Sequence, residues 1–122
     1  MNVKIDTKER FHVITVTGPI LSADMAGELS GKLQSLLNNP IKNVVLSLSE
    51  LSGMDELAAE MLVKTQQNFY EHNASFVICE MRKEVEDFLD SKGLLELMNC
   101  TPTPSEAWDI VQMEELEREL LD

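Results

Sequence analysis

Two nearly unbroken apolar runs constrain this chain most: VVLSL at 44–48 and SFVIC at 75–79. A strand wetted on one side alternates apolar and polar residues, whereas a strand covered on both faces does not. Between the runs, Leu57, Ala58, Met61, Leu62, Thr65 and Phe69 recur at helical spacing. A buried strand, an amphipathic helix and a second buried strand predict a parallel pair joined by a right-handed crossover.

The rest of the chain extends that alternation. VKIDTKERFHVITVTG predicts two strands about a polar turn, the second stopped at Gly18-Pro19. Residues 24–37 predict a helix through Met25, Leu29, Leu33, Leu36 and Leu37, capped by Ser22 or Asp24 and ended by Asn38-Asn39-Pro40. The helix after the first apolar run has Asp55 placed to cap it. Residues 83–91 predict a short helix showing Val85, Phe88 and Leu89 and stopped at Gly93. Residues 94–100 predict a short last strand. Thr103, Pro104 and Glu106 sit at N-cap, N1 and N3 of an acidic helix over 104–121. The order β-β-α-β-α-β-α-β-α gives an α/β class: a mixed, mostly parallel sheet of about 4–5 strands with about four helices. At 122 residues this is a single domain over 1–122.

Charge narrows the partners. The net charge is −12, with four acids and five bases in residues 1–49 but eighteen acids and five bases in residues 50–122. Residues 106–122 hold seven acids against Arg118. Such a surface repels phosphate backbones and anionic membranes, so no nucleic acid is expected. It suits a basic protein partner, and it also suits plain solvated helix faces. No apolar run is long enough to cross a membrane, and the N-terminus lacks a basic-then-apolar leader, so a cytoplasmic location without direct membrane insertion is expected. Cys79 and Cys100, far apart in apolar stretches, predict buried free thiols. With His12 and His72 they lack metal-ligand spacing, so neither metal nor cofactor is expected.

Catalytic patterns are missing as well. GPILSADMAG and LSGMDELAA fit neither phosphate-loop spacing, and no nucleophile elbow or Cys-His arrangement occurs. His12 falls in a strand and His72 at a helix end, the places of exposed or core-edge histidines. Glu86-Asp87 and Glu114-Glu115 lie on charged helix faces. Asp55-Glu56 opens a helix directly after a central strand, where the helix macrodipole alone accounts for two acids. No enzyme is expected.

The segment LSLSELSGMDELAAEML resembles the signature of the STAS domain, the family of bacterial anti-sigma factor antagonists and of the cytoplasmic domains of sulphate transporters. The family pattern is a strand ending in Asp-Leu-Ser, then an apolar residue with Asp-Ser-Ser-Gly, then an apolar helix. Leu48-Ser49 matches Leu-Ser, Met54-Asp55 matches the apolar residue and Asp, and Leu62 lies in the helix. VITVTGPI is similar to the family's second strand and Gly-x-Leu turn, and the element order matches over residues 3–112. There are departures. Glu56 and Leu57 stand at the two serine positions, Ala58 at the glycine, Ser47 at the strand Asp, and Leu21 where the first loop usually has Asp. In phospho-switch members the second serine is phosphorylated by the partner kinase. Leu57 has no hydroxyl, so the resemblance implies no phosphorylation there. Glu56 stands in for a phosphate with about half its charge, or, more plainly, favours the helix dipole while Leu57 packs or offers an apolar contact. Ser49 and Ser52 are the nearby hydroxyls.

The resemblance thus implies a non-enzymatic regulatory module that docks an ATPase-fold anti-sigma factor or a related regulator. The implied surface is Ile20, Leu21, Ser22 and Asp24 with Gly53, Met54, Asp55, Glu56, Leu57, Ala58 and Met61. The alternative on the same fold is a ligand-binding or assembly module, taking a nucleotide or lipid or serving in a transport complex. Leu116, Leu120 and Leu121 leave two arrangements open: pairing across a homodimer, or folding back on the domain.

Overall fold

A computed structural model describes residues 3–121. Residues 1, 2 and 122, the ends of the expected unit, lie outside the described residues. In chain order the elements are β1 (Val3–Thr7), β2 (Phe11–Val16), β3 (Ile20–Leu21), α1 (Ala23–Ser35), β4 (Asn43–Ser47), β5 (Gly53–Met54), α2 (Glu56–Glu71), β6 (Phe76–Cys79), α3 (Lys83–Ser91), β7 (Cys100–Thr101) and α4 (Pro104–Leu121). The main sheet has the order β1-β2-β4-β6-β7. β1 runs antiparallel to β2, and the other neighbours are parallel. This is the single-domain α/β class that the apolar runs predict. The short β3 and β5 form a separate parallel pair.

Register divides the core between two faces. Val44 pairs with Phe76 and Val45 with Val77, so successive residues point to opposite sides. Val44, Leu46, Phe76 and Ile78 join Ile14 and Val16 under Leu29 and Leu33 of α1, Leu62 and Phe69 of α2, and Val85 and Leu89 of α3. Within this front core the Phe69 and Phe76 rings meet edge to face, 5.1 Å between centroids. Ser30 Oγ and Thr65 Oγ1, 2.9 Å apart, bridge α1 to α2. The back face is smaller: Phe11, Val45, Val77 and Cys79 lie under Ala107 and Val111 of α4.

The helix ends follow their side chains. Ser22 rather than Asp24 caps α1, its Oγ accepting the Met25 amide at 3.3 Å. Thr103 Oγ1 accepts the Glu106 amide at 3.2 Å. Gly93, at φ +71°, ends α3 as expected, with the Leu94 amide on the Leu89 carbonyl and the Gly93 amide on the Asp90 carbonyl. Asn73, at φ 59°, ends α2 by the same two bonds, from Ala74 to Phe69 and from Asn73 to Tyr70.

Several expectations are corrected. Residues 94–100 are not one strand: Leu95–Leu97 is a 3-10 turn and only Cys100–Thr101 pairs with β6. The Gln66 side chain explains this, donating to the Leu97 carbonyl at 3.0 Å and accepting the Asn99 amide at 2.8 Å, so backbone groups that a ladder would use are taken by α2. Cys79 is buried but Cys100, on the outermost strand, is exposed. Leu57 leaves the inner stripe of α2 and is 62% exposed. Leu116, Leu120 and Leu121 are exposed, so they do not fold back. His12 is a buried core-edge histidine bonded to Thr7 Oγ1 and the Ile41 carbonyl. No helix among the described residues is long and apolar enough to cross a membrane.

Candidate functional site

The strand-to-helix junction at the end of β4 is built by two loops locked together. The Pro19 carbonyl accepts the amides of Ser52 at 2.8 Å and Gly53 at 3.1 Å, and the Leu21 carbonyl accepts the Asp55 amide at 3.0 Å. Ile20 pairs with Gly53 and Leu21 with Met54. A Cβ at position 53 would lie 3.0 Å from Ile20 Cδ1, so glycine lets Ile20 lie across the strand. A two-residue ladder is too short to show alternation, so sequence patterning does not reveal this pair.

The pairing sets the starts of α1 and α2 side by side. Asp55 occupies the N-cap position of α2, with extended backbone at φ −75° and ψ 152°, but its side chain does not cap its own helix. Its Oδ2 instead accepts the amide of Ala23, the first residue of α1, at 3.1 Å. One carboxylate therefore serves the positive end of two helices, by hydrogen bond to one and by position at the other. The first amides of α2 are left without a side-chain cap.

Around this clip lies a mixed surface. Ile20 and Leu57 are exposed apolar side chains, and Asp24, Asp55 and Glu56 are exposed acids. Glu56 pairs with Lys92 at 3.4 Å. Leu21, Met54 and Ala58 are buried beneath the surface rather than on it, and Met61 and Ser22 are half-buried. Of the residues named from the sequence, Ile20, Asp24, Asp55, Glu56 and Leu57 are exposed around the clip, while Met61 reaches toward Gly27 of α1.

Three further side chains shape the junction without a sequence signal. Glu80 ends β6 in the left-handed region at φ 59°, a conformation that costs a non-glycine residue about 1–3 kcal/mol. Its Oε1 accepts the Ser47 hydroxyl at 2.9 Å. Arg82 Nε donates to the Ser49 carbonyl at 2.9 Å, tying the loop to α3. Lys92 comes from the far end of α3 to meet Glu56. Each contact joins residues distant in the chain, so spacing could not reveal it.

The hydroxyls around the junction are held by neighbouring groups. The Ser47 hydroxyl is held by Glu80 and that of Ser52 donates to the Pro19 carbonyl at 3.2 Å. The Cys79 thiol, near Glu80, is pushed up to about 12 by burial and then by the Glu80 charge, so it stays protonated and inert. Burial and Glu86 also raise the Cys100 thiol above its ordinary value. Among the described residues no cluster of three His, Cys, Asp or Glu is placed to hold a metal ion.

Solved structures place this architecture among known relatives. An anti-sigma factor antagonist from Mycobacterium paratuberculosis superposes with a TM-score of 0.76 at 15% identity, covering 91% of this chain and 93% of that one. An anti-sigma-factor antagonist (STAS) domain protein from Planctomyces limnophilus gives 0.75 at 15%, covering 90% and 97%. The anti-sigma factor antagonist SpoIIAA in its unphosphorylated form gives 0.71 at 16%, covering 91% and 96%. These identities speak for the fold alone. The STAS domain model matches residues 2–107, most of the chain including the whole junction. The chain belongs to the STAS domain family.

Proposed function

We propose that this protein is a non-enzymatic regulatory module that docks an ATPase-fold anti-sigma factor or a related regulator in the bacterial cytoplasm. The contact is made through Ile20 and Leu57, with Asp24, Asp55 and Glu56 setting its polarity. The observation that carries this reading is the Asp55–Ala23 clip: it ties two helix starts together, and the exposed apolar side chains of Ile20 and Leu57 lie beside it. The structural relatives described as anti-sigma factor antagonists support it as fold neighbours. Leu57 stands where the family resemblance puts the phosphoacceptor, so in this proposal docking is not switched by a phosphate on that residue. An anionic ligand at the same place would meet Asp24, Asp55 and Glu56, which favours a protein partner over the ligand-binding alternative.

The test is affinity capture from the source lysate with wild type and Leu57→Asp, read by mass spectrometry. Recovery of an ATPase-fold regulator by wild type and its loss in the variant is the expected result. Equal recovery by both removes this surface from the proposal.

A further inference from the structure

α4 extends well past Ala107, to Leu121. That extension carries apolar side chains on the wrong side for the core. Ala107 and Val111 face the sheet, but Met113, Leu116 and Leu120 are 60%, 55% and 76% exposed. Their i, i+3, i+7 spacing lays them along one seam of the helix.

The helix cannot roll this seam inward. Glu114 Oε1 accepts the Tyr70 hydroxyl at 2.9 Å. Glu115 Oε2 accepts Asn43 Nδ2 at 2.7 Å. Arg118 donates to Asn43 Oδ1 at 3.2 Å and Ser75 Oγ at 3.1 Å. These bonds use buried or half-buried partners on the sheet and α2 and fix the rotation of α4. Its cation, Arg118, is spent inward, while Asp109 and Glu117 flank the seam on the exposed side.

We propose that the outer face of α4, Met113, Leu116 and Leu120 framed by Asp109 and Glu117, is a second docking surface, and that its occupant is a basic amphipathic helix of another protein. Leucine-like anchors of that helix cover the seam, and its lysines or arginines meet the acids. Charge decides against a second copy of this chain. Self-pairing would place two sets of Asp109 and Glu117 carboxylates along one seam, while the nearby Arg10 is already paired with Glu115 and Glu119.

The experiment titrates a synthetic helical peptide, with leucine anchors at i, i+3 and i+7 and lysine flanks, into the full chain. A peptide with the same anchors and glutamate flanks serves as comparison. The lysine peptide is expected to bind wild type and Leu57→Asp equally, at least tenfold more weakly to Leu116→Glu, and more weakly in high salt. The glutamate peptide is expected not to bind. Circular dichroism checks the fold of Leu116→Glu, and Leu116→Ala replaces it should it unfold. No binding of the lysine peptide overturns the proposal. So does equal binding to wild type and the Leu116 variant, which would mean attraction to net charge alone. Sedimentation showing a wild-type dimer that Leu116→Glu dissociates also overturns it and gives the face to a second copy. Because Leu57→Asp leaves this surface intact, the outcome is independent of the junction.

Discussion

The two faces of the sheet hold their helices by different means. On the front, α1, α2 and α3 are fixed by apolar burial, with Phe69, Phe76, Leu33, Leu46 and Leu89 almost wholly removed from water. On the back, α4 buries little more than Ala107 and Val111 and is fixed instead by a polar network through Asn43, Ser75, Tyr70, Glu114, Glu115 and Arg118. On the front the apolar stripe sets which way each helix faces, whereas on the back directional hydrogen bonds set the angle of α4. Among the described residues the front helices leave one large apolar side chain exposed, Leu57, whereas α4 keeps a seam of Met113, Leu116 and Leu120 outside.

The largest effect should come from breaking the front. Phe76→Ala is expected to cost roughly 3–5 kcal/mol in denaturant unfolding, while Val111→Ala on the back should cost about 2 kcal/mol. Equal losses would erase the contrast between the faces. Asn43→Ala tests the polar side directly. Its amide donates to the Arg10 carbonyl and Glu115, and its oxygen accepts from the Ser75 amide and Arg118. Removing it leaves buried groups unpaired, at about 2–3 kcal/mol, and circular dichroism should show α4 melting ahead of the rest.

Asp55→Ala should cost less, about 1 kcal/mol, because one partly solvated hydrogen bond to α1 is lost. A loss below a few tenths of a kcal/mol would show that the paired loops, not the clip, align the two helices. The last effect is confined to alkaline pH. Burial first, and then the Glu114 hydrogen bond and charge, raise Tyr70 from 10.0 to about 12. Between those values the unfolded chain loses the proton while the folded chain keeps it, so stability falls as pH rises and is unaffected below about pH 10. Tyr70→Phe should flatten that alkaline decline. Since Tyr70 is the chain's one tyrosine, ultraviolet titration reads it directly, and a midpoint at the ordinary value would contradict the Glu114 latch.

Much of this was legible beforehand, for identifiable reasons. Long signals survived: the doubly buried β4 and β6, the crossover helices, the Thr103-Pro104 start and the Gly93 stop all depend on local pattern. The family resemblance rested on Leu48-Ser49 and Met54-Asp55, and it located the junction. What stayed hidden depends on residues meeting across the fold. Asp55 was read as the cap of its own helix, yet its carboxylate bonds to Ala23, thirty-two positions earlier. Leu57 fits the inner stripe by spacing, but it lies on the first turn of α2 and its side chain is exposed. Gln66 holds the stretch after the Leu95–Leu97 turn, so only Cys100–Thr101 is left to pair as a strand. Asn43 opens an apolar strand, but the α4 partners that make it a hydrogen-bond hub lie more than seventy residues away.

In the proposed function, the junction of β5 and α2 docks the regulator. Amide hydrogen exchange on the complex with the captured ATPase-fold regulator tests it most directly. Slowed exchange at residues 20–24 and 53–58, with α4 unchanged at 113–120, is the result the account predicts. Exchange at 20–24 and 53–58 as fast as in the free protein, with protection elsewhere, would contradict it.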